Sequence, residues 1–172
     1  MPQAFALSDF DYALPPELIA QHPAPERSGS RLLDARGPVP THRVFRELPD
    51  LLSPGDLLVF NDTRVIKARV LGHKDSGGAV EALVERVLPG NEVLAHVRAS
   101  KSPRPGSRLR FVGRTSQGGG EPGFDAAVLG RAGPQNDLFR LQFPSEPLAL
   151  LERHGHVPLP PYITHADTLD DE

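Results

Sequence analysis

Short apolar segments separated by glycine and proline turns dominate the middle of the chain, from Asp56 to Phe143. Segments of this kind, bounded by turn residues and rich in Val, Leu and Phe, are typical of β-strands. Strands are predicted at Leu57–Asn61, Ala68–His73, Ala79–Val87, Glu92–Arg98, Arg108–Val112, Phe124–Leu129 and Leu138–Phe143. Regularly spaced short strands favour a small antiparallel β-barrel.

Helical patterns flank this β-rich middle. Thr41–Leu52 has apolar residues at helical spacing ahead of Pro54, and Pro147–His154 has them ahead of Gly155. We therefore expect residues 67–146 to form a β-barrel inserted into a discontinuous outer domain of α+β or α/β class, made of residues 1–66 and 147–172. Because the flanking segments are too short for a well-covered α/β core, this outer domain is expected to be incomplete, truncated at the C-terminus.

The composition excludes several classes of site. The chain has no cysteine, which excludes disulfides, thiolate nucleophiles and cysteine-ligated metal centres. His154 and His156 lack a carboxylate or cysteine at ligand spacing, so no metal is expected. The N-terminus has no basic apolar leader, and no run is long enough for a membrane helix, so a cytoplasmic protein without membrane association is expected.

Basic residues are concentrated in one segment although the formal net charge of the chain is −3. Between Val97 and Gly120 there are arginines and a lysine but no Asp or Glu, an electrostatic pattern that suits a nucleic-acid backbone. The residues predicted to contact such a backbone are Arg98, Lys101 and Arg104. Arg108 and Arg110 share one face of a predicted strand, so they could equally form a solvated barrel exterior, and Arg114 follows them.

A dense polar corner, Asn61-Asp62-Thr63-Arg64, follows the apolar run Leu57–Phe60. Active sites are commonly built where a buried strand ends in polar groups. Arg64 suits a phosphate or carboxylate, Asn61 a base edge or a ribose hydroxyl, and Asp62 the role of proton acceptor. The alternative is a turn in which Asn61 and Asp62 cap neighbouring backbone groups.

Further residues in three parts of the chain are candidates for binding a substrate or cosubstrate. Arg27 and Arg31, with Glu26 and Ser28, lie in a polar loop that could equally be an ordinary exposed loop. Tyr162, after two prolines, could offer an aromatic surface to a base or belong to a rigid connector. His156 is a candidate substrate-facing residue, with a structural role as the alternative.

Five stretches of the chain carry a family resemblance. In order and spacing they resemble the N-terminal half of the S-adenosylmethionine:tRNA ribosyltransferase-isomerases. One departure is Lys67, where that family usually has proline. The stretches are Leu14–Leu33, Gly55–Val70, Gly78–Arg86, His96–Gly106 and Gly155–Ile163.

The resemblance implies an enzyme of queuosine biosynthesis with an α/β outer domain and an inserted β-barrel. It implies transfer and isomerisation of the ribosyl moiety of S-adenosylmethionine onto 7-aminomethyl-7-deazaguanine at the anticodon wobble position, giving epoxyqueuosine-tRNA, adenine and methionine. S-adenosylmethionine is then a cosubstrate, tRNA is the partner, and a monomer is expected. The resemblance implies a fragment, so activity of this chain alone does not follow. The alternative is a noncatalytic RNA-binding β-barrel module.

Overall fold

The computed structural model describes residues 5–113 and 122–165. The described residues divide into two compact units, one of residues 5–62 and 161–165 and one of residues 63–113 and 122–160. Residues 1–4, 114–121 and 166–172 lie outside the described part, and Arg114 is among them. The predicted outer-domain and barrel boundaries stay a prediction.

The first unit contains a small sheet and short 3-10 helices. Strands β1 (Arg31–Asp34) and β2 (Thr41–Val44) pair antiparallel. The helix predicted over 41–52 is wrong for residues 41–44, which pair with β1. Phe45–Leu51 is helical, but it forms a 3-10 helix and contains a proline, which has no N–H to donate. The other 3-10 helices are Leu7–Phe10, Pro16–Leu18 and Arg27–Gly29.

The apolar run Leu57–Phe60 was predicted as a buried strand, and this prediction is wrong for the described structure. Residues 57–61 form no strand, and Leu57, Val59 and Phe60 are 86%, 85% and 71% exposed. A β-strand is stable only when its backbone N–H and C=O groups pair with a neighbour. Among the described residues no strand pairs with this segment, so its apolar composition alone does not make it a strand.

The second unit is a closed antiparallel barrel, which confirms the predicted architecture. Its order is β3-β4-β5-β8-β7-β6, and β3 pairs with β6 to close it. Each of the six neighbouring pairs is antiparallel. The strands are β3 (Arg69–Lys74), β4 (Ala79–Leu88), β5 (Glu92–Ala99), β6 (Arg108–Phe111), β7 (Phe124–Ala132) and β8 (Leu138–Gln142).

Alternating side chains fill the barrel. Phe111, Phe124 and Phe143 form an aromatic cluster with ring centroids 4.9 to 6.3 Å apart. Gly72 allows the closing strands to approach, since a Cβ at this position would collide with the backbone of Arg110 and Phe111. The barrel interior is therefore a packed core and its outer face is the surface available to ligands.

Helix α1 (Pro147–His154), which was predicted with these bounds, belongs to the same unit as the barrel. Glu146 caps it by accepting hydrogen bonds from the backbone N–H groups of Leu148 and Ala149, at 3.0 and 2.6 Å. Leu151 is 1% exposed and joins the barrel core. Lys67 forms an ion pair with Glu152 of this helix at 3.0 Å.

Candidate functional site

The three residues predicted to contact tRNA lie on the outside of the barrel. Arg98 is on the outer face of β5, and Lys101 and Arg104 are in the loop that follows it. Strand alternation explains the position of Arg98. Its neighbours Val97 and Ala99 pack against the core, so the Arg98 side chain points to the outside. All three side chains are exposed.

The loop that carries Lys101 and Arg104 is held by hydrogen bonds from three directions. The Lys74 ammonium donates to the Lys101 carbonyl at 3.0 Å, and Arg131 donates to Ser102 Oγ at 2.6 Å. Ser107 donates to the Arg104 carbonyl through its hydroxyl and its backbone N–H, at 2.6 and 3.0 Å. These bonds use the carbonyls of Lys101 and Arg104 and the hydroxyl of Ser102, so they leave the charged groups of Lys101 and Arg104 in solvent.

The basic run divides into paired and unpaired cations. Arg110 and Arg108 lie 3.0 and 3.5 Å from the carboxylate of Asp125 on β7. The hydrogen bond from Arg110 lowers the pKa of Asp125 and raises the pKa of Arg110. Within residues 5–113 and 122–165, the charged groups of Arg98, Lys101 and Arg104 form no ion pair. The described cations of the basic run therefore fall into two shared by Asp125 and three without an ion pair.

An outer groove of about 570 Å³ lies beside Arg98. Its apolar part includes Leu71 of β3 and Val112, which are 38% and 42% exposed. A smaller groove of about 440 Å³ lies along β4 and β5 and shares Glu81, Arg98 and Ala99 with the first. The full lining of the larger groove is Leu71, Gly72, His73, Ala79, Val80, Glu81, Arg98, Ala99, Ser100 and Val112. The groove could not be predicted from the sequence, because its lining residues come from different strands and become neighbours only through the strand register.

The polar corner Asn61-Asp62-Thr63-Arg64 is exposed throughout. Asn61 and Asp62 belong to the first compact unit, and Thr63 and Arg64 to the second. Neither barrel groove is lined by these residues. Their predicted roles toward substrate stay predictions.

The polar loop in the first unit is organised around Glu26. Its carboxylate accepts hydrogen bonds from Ser28 Oγ at 3.1 Å and from Arg46 Nη2 at 2.9 Å. Arg27 lies in a 3-10 helix and Arg31 begins β1, and both side chains are exposed. The sequence did not single out Arg46, since its proximity to Glu26 depends on the pairing of β1 with β2.

His156 and Tyr162 lie in different units. His156 is half-buried and forms a two-bond backbone bridge with Arg69, with N···O distances of 2.7 and 3.2 Å. Tyr162 is 56% exposed, and its carbonyl accepts a hydrogen bond from Gln21 Nε2 at 3.0 Å. Gln21 also accepts hydrogen bonds from the backbone N–H and the hydroxyl of Thr164. The sequence pattern did not indicate these contacts of Gln21.

Two negative findings concern the described residues. No group of three or more His, Asp or Glu side chains among them is arranged to hold a metal ion. No helix within the same residues has the length and apolar character needed to cross a membrane.

Comparison with known proteins gives one consistent result. The family described as "Queuosine biosynthesis protein" matches residues 7–172. S-adenosylmethionine:tRNA ribosyltransferase-isomerase of Herminiimonas arsenicoxydans is 52% identical over 168 residues, covering 98% of this chain and 46% of the relative. The enzyme of the same name from Aromatoleum aromaticum is 53% identical over 171 residues, with the same two coverages.

A solved structure also matches part of the chain. The S-adenosylmethionine tRNA ribosyltransferase of Thermotoga maritima is 33% identical, with a TM-score of 0.39, covering 86% of this chain and 48% of that one. The chain spans about half the length of the curated relatives it matches, 46% for the two given above. Because the family match extends over residues 7–172, the chain belongs to the queuosine biosynthesis protein family.

Proposed function

We propose that this chain serves an enzyme that transfers and isomerises the ribosyl moiety of S-adenosylmethionine onto 7-aminomethyl-7-deazaguanine in the tRNA anticodon, giving epoxyqueuosine-tRNA, adenine and methionine. Family membership and the names of the curated relatives support this proposal. Because the chain spans about half the length of those relatives, the activity is proposed for the whole enzyme and not for this chain alone.

One observation carries the tRNA part of the proposal. Arg98, Lys101 and Arg104 are exposed and form no ion pair with a described acidic residue, whereas Asp125 forms ion pairs with two other arginines of the barrel. Unpaired cations on a rigid surface bind phosphates with release of counterions. This arrangement supports contacts between the barrel and the tRNA backbone.

The chemistry requires proton transfer. The sulfonium of S-adenosylmethionine acidifies the protons on C5′, so a base must remove one, and adenine must leave with a proton. We assign the base to Asp62. Arg64 would bind the methionine carboxylate, and Asn61 and Thr63 the ribose hydroxyls.

Other residues are proposed to bind substrate less directly. Arg27 and Arg31 would contact phosphate or carboxylate groups, His156 would face substrate, and Tyr162 would stack on a base. The proposal includes a cytoplasmic, monomeric protein without a metal or a membrane.

The release of adenine tests the proposal. The purified 172-residue chain is incubated with S-adenosylmethionine and tRNA that carries 7-aminomethyl-7-deazaguanine, with a full-length relative as positive control. In the full-length context, Asp62→Asn should lower adenine release by about 100-fold or more while tRNA binding is unchanged. Asp50→Asn, which removes another exposed carboxylate, is the matched control. Equal rates for the two variants would contradict the role of Asp62.

A noncatalytic RNA-binding module is the second candidate, and the closed core of the barrel favours it. A barrel without open edges and with its own aromatic cluster is a complete structural unit. This function predicts tRNA binding that weakens steeply with salt, without adenine release by the chain. Adenine release by the chain alone would exclude it.

A further inference from the structure

We propose that the 570 Å³ groove on the outer face of the barrel holds one unstacked nucleobase of a single-stranded RNA segment, with the adjacent phosphates on Arg98 and Lys101. The inference deepens the proposed function, since it rests on RNA being the partner. The proposed function assigns only phosphate contacts to the barrel surface, and the groove adds a site for a base.

The floor of the groove suits the flat face of a base. Leu71 and Val112 lie side by side on the outer surface, joined by a backbone hydrogen bond from Val112 N to Leu71 O at 2.9 Å. Both side chains remain partly exposed, at 38% and 42%. A groove volume of about 570 Å³ is within the range of sites that bind small ligands.

Planar polar groups border this apolar floor. His73 and Arg98 both line the groove, and imidazole and guanidinium planes are side-chain surfaces on which RNA bases stack. Single-stranded RNA presents unstacked bases, whereas a duplex keeps its bases inside the helix. The groove therefore favours a loop or an unpaired end over a duplex.

Glu81 gives the groove a preference among bases. Its carboxylate lies 3.2 Å from Arg69 Nε, which fixes its position at the groove wall with a side chain 35% exposed. A carboxylate accepts hydrogen bonds from exocyclic amino groups, such as N4 of cytosine. We therefore expect bases that carry an amino group to bind better than uracil.

The charges at one end of the groove complement a phosphate chain. Arg98 lines the groove, Lys101 follows Ser100 of its wall, and the Lys74 ammonium donates to the Lys101 carbonyl at 3.0 Å. Three cations thus lie at the end where a strand would leave the groove. The opposing carboxylate, Glu81, already has Arg69 as a partner.

Fluorescence anisotropy with labelled RNA oligonucleotides tests the groove. The 172-residue chain is titrated with single-stranded oligocytidine, with oligouridine and with a duplex of equal length. Leu71→Ser should weaken oligocytidine binding by about fivefold or more, because stacking on an apolar surface is lost, and should leave duplex binding unchanged. Val112→Ser should act in the same way.

Leu129→Ser is the matched control, because Leu129 lies on the outer face of β7, is 44% exposed and does not line the groove. Leu71→Ser should not change the salt dependence of binding, whereas Arg98→Ala should lower the slope of log K against log salt by about 0.7. Glu81→Gln should reduce the preference for oligocytidine over oligouridine.

The proposal is overturned if Leu71→Ser and Leu129→Ser bind alike, or if the wild-type chain does not bind single-stranded RNA. Adenine release is measured separately, so the two proposals fail independently. Turnover without any effect of Leu71→Ser rejects the groove alone. Groove-dependent binding with no turnover by the full-length enzyme rejects the proposed reaction alone.

Discussion

The Nη2 atom of Arg131 donates a hydrogen bond to Ser102 Oγ at 2.6 Å, which joins β7 to the loop that carries Lys101 and Arg104. The same guanidinium lies 3.9 Å from the ring centroid of Phe139. Arg131 is thus committed to contacts within the barrel unit. We assign it the role of positioning the basic loop.

Arg131→Ala should weaken RNA binding about fivefold, equivalent to about 1 kcal/mol, because the loop loses a side-chain anchor. The salt slope should stay unchanged, since no phosphate contact is removed. Arg104→Ala should lower both affinity and slope. Ser102→Ala provides the second test, and the positioning role is rejected if Ser102→Ala has no effect on affinity.

Asp125→Asn should strengthen RNA binding. The substitution releases Arg108 and Arg110 from the carboxylate that they share. Two additional phosphate contacts would steepen the salt slope by up to about 1.4. Asp137→Asn changes the net charge equally without releasing these arginines, and it should leave the slope as it is. The salt slope is measured by titrating both variants with single-stranded RNA over a range of salt concentrations. Equal slopes for the two variants would contradict the prediction.

The same carboxylate predicts a pH dependence of stability. Arg110 holds the pKa of Asp125 below its ordinary value in the folded chain. A depressed folded-state pKa stabilises the fold above the unfolded-state pKa, which is about 3.9, and this contribution is lost as the pH falls through the folded-state value. The stability difference between wild type and Asp125→Asn should therefore be present at neutral pH and vanish in strong acid. Urea unfolding at several pH values measures it, and a difference that grows below about pH 4 would reject the assignment.

Phe111→Ala should destabilise the barrel by about 3 to 5 kcal/mol. Phe111 is fully buried and its ring contacts those of Phe124 and Phe143, so truncation leaves a cavity in the aromatic cluster. Leu129→Ala, at an exposed position, should change the free energy of unfolding by about 0.5 kcal/mol or less. Denaturant unfolding compares the two variants.

Gly72→Ala should destabilise the barrel by about 1 to 3 kcal/mol. Its Cβ would collide with the carbonyl of Arg110, so the closing strands would have to separate. At Gly37 the nearest atom to a built Cβ is a carbonyl oxygen at 3.7 Å, an ordinary contact, so Gly37→Ala should be neutral or slightly stabilising. Equal unfolding midpoints for both variants would show that the pairing of β3 with β6 tolerates a methyl group.

The barrel could be predicted because its determinants are local. In β4, Val80, Ala82 and Val84 alternate with more exposed residues, and the turn Ser76–Gly78 separates this strand from β3. Such alternation and turn chemistry are visible in a single sequence. The sequence does not reveal which outer side chains meet, because the contact of Arg110 with Asp125 depends on the register of β6 against β7.

The same limit explains the error at Leu57–Phe60. The run has the composition of a strand, but a strand also needs a neighbour, and composition says nothing about whether a neighbour is present. The polar corner was predicted to be a binding site because it follows this expected strand. Asp62 and Arg64 thus follow a segment that forms no strand, whereas Arg98 and Lys101 lie on a strand and a loop that were predicted correctly.

The backbone bridge between Arg69 and His156 brings the two ends of the barrel unit together. The chain enters β3 at Arg69, passes through all six strands and helix α1, and returns to the same residue at His156. A segment whose ends are joined in this way can be gained, lost or exchanged as a single piece without displacing the chain on either side. We therefore expect that residues 67–156 can be grafted as one segment, which would carry the barrel core and the groove that we propose binds RNA.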